Sequence, residues 1–519
     1  MRTSTFFSLF IFFSFYTGLL CAQKVLYSPY IGTQIATRFE VIGKSGDYYW
    51  VQKSRTKFRS KKPAEPWLDD KELMFEIYDA RMNLLKTIPS SLSVNLLKEY
   101  LIPGDEYFDQ LSLQPANHKV IALLKRYTSA GDLKDGQDTI AEFPANMKCG
   151  DFLLIRSQDK SKILLLGFET ISESPPRLHA ILYDKNWNLI YQTEYNNINI
   201  SKPLVQYDIV ENPLEGYNST SIKLGNDGEW LMVLSAGTNH NYLLFHFTGK
   251  DERFVYKEIK LPLTATVEDA GLYLDNEKQE GFAGILSRVK TSTIKNVRIV
   301  NYSLNDFRIN FDTSYLLNTL AGNKIKNENI FEEYFMLVPG KGFLFLKEYG
   351  RAFSPGTEND EFNNNDQQFN ETNNLGKKDV PDLFNKDEYT RYDNLAGTRS
   401  NFDRGDLTLY YFPAKPNDSC WSGIINKEQI TELGKSYLSY VFLPREDKLF
   451  FLYNSFYRNS DQYGSTTVLD QKGKPMNEGV EYWKINNTLV FQKARQISEN
   501  ELAIPYQRNM RNGFAIIHL

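Results

Sequence analysis

The chain has almost none of the signatures that announce chemistry. It contains no Gly-x-Ser-x-Gly elbow, no His-Glu-x-x-His, no Walker loop and no dinucleotide fingerprint. The patterns that hold a serine nucleophile, a catalytic zinc or a nucleotide phosphate are therefore missing. Cysteine is scarce, with 3 in the whole chain, and the spacings of zinc or haem sites do not occur. Histidine numbers 5. Neither sign of charge dominates, since 60 Lys and Arg stand against 64 Asp and Glu. That balance supplies no bulk field for nucleic acid. Beyond the N-terminus no segment is long and apolar enough to cross a bilayer as a helix.

What is present begins at that N-terminus. Arg2 supplies a positive charge, residues 6–20 are almost continuously apolar, and Cys21-Ala22 offers small residues for cleavage before Gln23. The pattern predicts a secretory signal over 1–22 and a mature chain over 23–519. Such a chain is exported to a periplasm, a cell surface or the extracellular space, with no transmembrane segment after cleavage. Two alternatives use the same residues. Leu19-Leu20-Cys21 approximates a lipobox, although Leu20 is larger than that pattern wants. A membrane anchor would need a longer apolar run than 6–20 provides. Loss of the signal leaves Cys149 and Cys420, either joined as a disulfide or standing as two free thiols. A domain this large does not depend on such a staple.

Strand signals fill the remainder. One phrase recurs: alternating apolar residues, a polar turn, then a dense apolar run. It spans 39–51, 111–124, 154–166 and 222–234, with looser copies near Asp275, Pro339, Arg445 and Glu499. A third strand follows and ends in a turn built on Asp or Asn. Tyr78-Asp79 and Tyr183-Asp184 open a shared frame, Tyr-Asp-x-x-x-Asn-Leu, and Asp470 opens a weaker copy within 467–474. Asp and Asn suit such turns because their side chains bond nearby backbone and they tolerate left-handed conformations. Each unit reads strand, turn, strand, loop, strand, turn, strand.

Hairpins returning every roughly sixty to sixty-five residues imply a radial or solenoid β architecture. A multi-sheet sandwich array is the alternative. The chain resembles a β-propeller: an all-β single domain of about seven or eight four-stranded blades. Neither the Gly-His…Trp-Asp pairing nor a kelch-like double glycine narrows that resemblance. The segment 25–30 precedes the first hairpin, and the last unit (501–506 and 513–519) is one strand short. Together they predict a ring closed by the N-terminal strand completing the C-terminal blade, which protects both free edges.

From about 351 to 406 the pattern breaks into an Asn- and Asp-rich stretch with too few apolar residues for a core. It reads as a long insertion between two strands of the sixth unit, either a surface loop or a lid over one face. Residues 53–62 form the one strong basic cluster. Lys57, Arg59, Lys61 and Lys62, with Trp67 close by, make the leading candidate contact site, a charged patch beside an aromatic anchor. A solvated loop is the plainer reading of the same residues.

His240 and His246 share a strand face, where cross-strand packing competes with metal binding. Asp184, Asn186 and Asn188 open like a calcium loop, but Leu189 stands where its sharp-turn glycine belongs. Turn chemistry explains them better. Residues 358–366 offer oxygens for weak calcium binding, and no other cofactor is expected. Trp50, Trp187, Trp230, Trp421 and Trp483 read as core, and Asp151, Asp159, Asp227 and Asp447 as turn residues.

A propeller is a rigid ring whose loops carry function. Without a catalytic motif, the expectation is a non-enzymatic binding or scaffold protein that recognises an envelope or surface protein, or a polysaccharide. No catalytic residue is assigned. The alternative is a carbohydrate-active enzyme, a hydrolase or lyase, with paired carboxylates near the ring axis.

Overall fold

A computed structural model describes residues 25–29, 37–56, 71–90, 96–134, 136–148, 151–169, 177–196, 222–235, 241–248, 254–260, 265–289, 295–317, 330–353, 401–427, 429–431, 440–445, 447–456, 462–476, 481–484, 488–491, 494–498, 500–508 and 511–518. The expected signal 1–22, Cys149, His240, and the contact candidates Lys57, Arg59, Lys61, Lys62 and Trp67 lie outside these residues. So does the calcium candidate 358–366.

Strands with dense apolar runs become buried on both faces, and alternating strands are half exposed. Phe152–Arg156 is buried at every position but the last, whereas Leu189–Tyr195, in the same sheet, shows side chains to solvent at every other position. The gradient follows position in the sheet. Eight antiparallel sheets form, seven of them from strands consecutive in the chain. Blade 1 comprises Thr37–Ser45, Tyr48–Thr56, Lys71–Tyr78 and Leu84–Ser90. Blade 2 comprises Lys98–Pro103, Tyr107–Ala116, Lys119–Thr128 and Asp138–Pro144. Blade 3 has Phe152–Arg156, Lys162–Glu169, Arg177–Asp184 and Leu189–Tyr195, and blade 4 has Ile222–Leu224, Trp230–Ser235, Asn241–Phe247 and Phe254–Lys260.

Blade 5 continues with Ala265–Asp275, Glu280–Val289, Lys295–Ser303 and Ile309–Leu316. In blade 6, Ile330–Val338, Gly342–Phe353, Asn401–Pro413 and Trp421–Ile425 are joined by Gln429–Thr431, which pairs with the third strand. Blade 7 holds Tyr440–Arg445, Lys448–Phe456, Gln462–Asp470 and Glu481–Lys484. Blade 8 is composite. Thr488–Leu489 and Arg495–Ser498 pair with Glu501–Arg508, which pairs with Arg511–His518, and the outermost strand is the N-terminal Val25–Tyr27.

Apolar packing shows that these sheets close a ring. Every core cluster is shared by two consecutive blades rather than contained in one. Trp50 and Phe75 of blade 1 pack with Leu101 and Phe108 of blade 2, and Leu164 and Leu182 of blade 3 pack with Trp230 and Phe245 of blade 4. The series ends where it began, because Val41, Tyr49 and Tyr78 of blade 1 pack with Ala503, Phe514 and Ile516 of blade 8. First strands of consecutive blades touch one another in most of the ring, so they surround the axis. The molecule is an eight-bladed β-propeller.

Four sequence expectations meet the structure here. The number of blades is eight, and Val25 pairs with Ile517 as the expected closure requires. The hairpin 111–124, however, joins the second and third strands of its blade, not the first and second as its siblings do. Asn117 and His118 both adopt positive φ there, the geometry of a tight hairpin turn. The true first strand, Lys98–Pro103, ends in Pro103-Gly104 and has a weaker apolar signature. The insertion is also narrower than 351–406, since Phe353 pairs with Asn401 at its base.

Candidate recognition face

The two ends of the ring differ. At one end, hereafter the turn end, first strands pass to second strands and third strands to fourth. At the other, the loop end, second strands pass to third strands and each blade passes to the next. The longest turn-end connections are 129–137 and 471–480, against 57–70, 196–221 and 354–400 at the loop end. The basic cluster with Trp67 belongs to a loop-end connection, and so does the insertion.

Turn-end geometry explains the shared frame. Asp79 Oδ1 accepts the backbone N–H groups of Arg81 and Asn83, both at 2.8 Å, while Asn83 Nδ2 donates to Asp79 Oδ2 at 2.9 Å. Asp184 makes the same three bonds with Asn186 and Asn188. Those bonds hold the Asp79 carboxyl below its ordinary value; at Asp184 burial is the largest single influence and acts upward, but the bonds together outweigh it and the carboxyl is again lowered. The calcium-like pattern is therefore a turn lock. Asp227 likewise receives the N–H of Glu229, Asp159 that of Ser161, and Asp151 that of Lys148. Asp447 also sits in a hairpin turn, between Tyr440–Arg445 and Lys448–Phe456, and its side chain contacts those of Lys341 and Gln471.

In the locks between third and fourth strands the residue before the last member adopts positive φ, and a large side chain there becomes a plug. Met82 and Trp187, both at φ 67°, and Phe307 at 52° bury their side chains against the preceding blade. Trp187 Nε1 donates to Asp109 of blade 2 at 2.8 Å. Where the plug position is glycine, the preceding blade fills the space instead. A Cβ on Gly131 would sit 2.1 Å from Ile77 Cδ1, and one on Gly473 would sit 2.4 Å from the Trp421 ring. Trp50 and Trp230 are fully buried, as expected of core, and Trp421 is half-buried over Gly473. The side chain of Trp483 lies outside the described residues.

Several loop-end strand termini carry buried polar groups. His179 stands between Glu169 at 3.0 Å and Glu194 at 3.4 Å, at the feet of connections 170–176 and 196–221. His246 lies nearer the turn end, paired with Glu229 at 2.8 Å and tilted against Phe307. Glu99 accepts Gln110 Nε2, and burial pushes its carboxyl above the ordinary range despite that bond and the nearby Lys125. Among the described residues, no three His, Cys, Asp or Glu side chains converge as metal ligands would.

Blade 6 supports the insertion on a stiff stem. Its second and third strands stay paired out to Phe353 and Asn401, and Gln429–Thr431 adds a further strand beside Phe402. Beneath, the fully buried Lys427 ammonium donates to Glu348 and to Gln429 Oε1. Gln429 Nε2 donates to the Asn454 carbonyl of blade 7 at 2.7 Å, and Asn454 Nδ2 donates to the Leu489 carbonyl of blade 8 at 2.6 Å. A buried polar chain thus runs from the stem through two further blades.

A second ionic group lies between blades 5 and 6. Lys295 bridges Glu268 and Glu333, which sit on adjacent first strands near the axis. Arg288 reaches Glu268 at 3.1 Å, and Lys347 lies 3.6 Å from Glu333. Lys295 and Lys347 both hover over the buried Phe345 ring. Carboxylates near the axis therefore do occur as a pair, but with lysine between them. Sequence reasoning missed this group. The sequence marks only part of it: an acid directly precedes the apolar inner stretch at Glu40-Val41, Glu99-Tyr100, Asp151-Phe152 and Glu333-Tyr334, whereas Glu268 lies one position further out.

The closed ring of antiparallel blades and its one loop-bearing end define the class, a β-propeller with a candidate recognition face. No protein-family model and no curated protein matches the chain. Among solved structures it is similar to the WD40 domain of SCAP from fission yeast, at 10% identity, TM-score 0.40, covering 96% of this chain and 98% of that one. It is also similar to the Dos1 propeller, at 9% identity, TM-score 0.37 and 94% of each chain. The β-propeller domain of the Trilobed protease from Pyrococcus furiosus matches at 9% identity and TM-score 0.33, covering 88% of this chain and 98% of that one. At such scores these likenesses carry no functional argument, and the class rests on the sheet order.

Proposed function

We propose that the chain is an exported, non-enzymatic binding or scaffold protein whose loop end engages an envelope or surface partner, either a protein or a polysaccharide. One observation carries the reading: long connections accumulate at one end of the ring while locked, short turns occupy the other. Variable loops on a rigid support are the usual construction of a recognition surface. Lys57, Arg59, Lys61, Lys62 and Trp67 fall in one of those connections, and the insertion in another. Glu268 and Glu333 would need to face a substrate to serve as a glycosidase pair. Their engagement by Lys295 weighs toward binding.

The test uses two photo-crosslinking side chains on the same blade of the exported chain. Arg177 is exposed at the loop end and Lys185 is exposed in the turn-end lock. Adducts formed in the native envelope from position 177 and not from 185 are expected. Equal or reversed labelling would remove the loop end as the recognition face. A thermal-shift panel of neutral and acidic oligosaccharides, with calcium and with chelator, then separates glycan from protein partners, since a ligand of the native state raises the midpoint by mass action.

A further inference from the structure

We infer that Arg288, with Lys295 and Lys347 behind it, forms an anion subsite that takes the carboxylate or sulfate group of an acidic glycan. This rests on the loop end being the recognition face and names the chemistry of one ligand group there. Arg288, Lys295 and Lys347 face Glu268 and Glu333, which leaves one positive charge in excess. The carboxylates are both committed to Lys295. Arg288 gives its Nε to Glu268, and among the described residues its terminal Nη groups have no other partner. The Arg288 side chain is 52% exposed, so that fork opens toward solvent. Lys347 is held 3.6 Å from Glu333, beyond hydrogen-bond range, and its ammonium remains available to a second acceptor.

Geometry favours an oxyanion over a neutral hydroxyl. A guanidinium whose Nε is pinned presents its remaining donors in a fixed plane that matches two oxygens of a carboxylate or sulfate. Phe345 is fully buried beneath Lys295 and Lys347 and screens the group from water on that side. Charges there interact more strongly than they would in bulk solvent. One excess charge gives weak affinity for a single anion. A chain repeating its anion on every sugar gains from rebinding and neighbouring contacts, which points to a polymeric acidic glycan.

Titration calorimetry on residues 23–519 tests this with oligogalacturonate, a sulfated chondroitin oligosaccharide, a neutral cello-oligosaccharide and hexaglutamate. One or both acidic oligosaccharides are expected to bind while the neutral one does not, and whichever binds names carboxylate or sulfate as the group. Arg288→Ala should weaken that binding about tenfold or more, the loss of a charge-assisted pair, and Arg288→Lys should fall between. Arg308→Ala, exposed at the turn end, should leave it unchanged. Unfolding midpoints of all variants establish that they remain folded, which the exposure of Arg288 predicts. No binding of either acidic oligosaccharide at millimolar concentration, an Arg288→Ala variant that binds like the parent, or hexaglutamate binding as tightly as the sugars would each overturn the assignment. If crosslinks still form from position 177 in those cases, the recognition face stands and only the subsite falls.

Discussion

Tyr49 donates its hydroxyl to Glu501 at 3.0 Å across 452 positions of sequence, joining the first blade to the last. Lys44 reaches the other oxygen of the same carboxylate at 2.8 Å, and Ser498 adds a third donor. Nearby, Arg495 of blade 8 donates to the Ile42 carbonyl at 2.6 Å. On the outer side, Tyr506 donates to the Ser28 carbonyl at 2.6 Å and the Phe514 N–H to Ser28 Oγ at 3.0 Å. The seam between the chain ends is thus sealed by directed polar bonds in addition to apolar packing.

Replacing Glu501 tests that seam. Burial acts to raise its carboxyl pKa, but Lys44, Tyr49 and Ser498 outweigh burial and hold it below the ordinary value. A carboxyl with a depressed folded pKa contributes stability that is present above its unfolded pKa and lost as pH falls through the folded value. Glu501→Gln should cost about 2 kcal/mol at pH 7. The gap from the parent should narrow below about pH 4. Urea unfolding at both pH values measures it, and a gap independent of pH would deny the ionic contribution.

Glu99 has the opposite sign. Burial raises its folded pKa, so its contribution is complete below the unfolded value and lost as pH rises through the folded one. Glu99→Gln keeps an acceptor for Gln110 and removes the charge. The variant should unfold at a higher temperature than the parent at pH 7, and the two should converge near pH 4. A variant less stable at pH 7 would show that the charge is compensated by partners beyond Gln110, Gln52 and Lys125.

The plug exchange gives a coupled prediction. Gly473→Ala must accept φ 74° and a Cβ 2.4 Å from the Trp421 ring, and should lose about 2 kcal/mol or more. Pairing it with Trp421→Ala should recover the steric share, so the double variant should be less destabilised than the sum of the singles. Trp187→Ala, which empties a filled plug and leaves Asp109 to its pairing with Arg126, should cost about 3–5 kcal/mol. Denaturant midpoints of these four proteins decide whether plug and glycine are complementary; strict additivity at 421 and 473 would refute it.

Lys427 is the point where the insertion stem is most exposed to damage. Lys427→Met removes the buried ammonium that Glu348 accepts, a loss of about 3–5 kcal/mol. Changing both, Lys427→Met with Glu348→Leu, should return most of that. Hydrogen exchange should show the single variant loosening 401–413 and, through Gln429 and Asn454, part of blades 7 and 8. Protection lost in blade 6 alone would mean the polar chain transmits nothing.

The fold was largely legible because inner strands, covered on both faces, must be written as dense apolar runs, and locked turns must be written with Asp and Asn. The Tyr-Asp-x-x-x-Asn-Leu frame at Asp79 and Asp184 fixed two turns down to their hydrogen bonds. The hairpin 111–124 misled because Asn117-His118 carries a stronger turn signal than Pro103-Gly104, and local turn chemistry does not reveal which hairpin of a blade it closes. The plugs were hidden for a different reason. Met82, Trp187 and Phe307 serve the preceding blade, while Gly131 and Gly473 concede the same space to it, so the regularity belongs to a pair of neighbours and cancels in any comparison of single units. The ionic group of Glu268, Arg288, Lys295, Glu333 and Lys347 draws on two blades and could not be assembled from spacing.

Closure by Val25–Tyr27 also imposes an order on birth of the molecule. These three residues are made long before their partners, Ala515 to Ile517. At about 5–20 residues per second, that separation corresponds to roughly half a minute to a minute and a half of synthesis. Through that interval the face of the first blade that will receive Ala503, Phe514 and Ile516 has nothing to cover it. A nascent chain of this design therefore depends on being shielded until Arg511–His518 arrives, and loss of that strand should be read by the cell as failure of the whole ring.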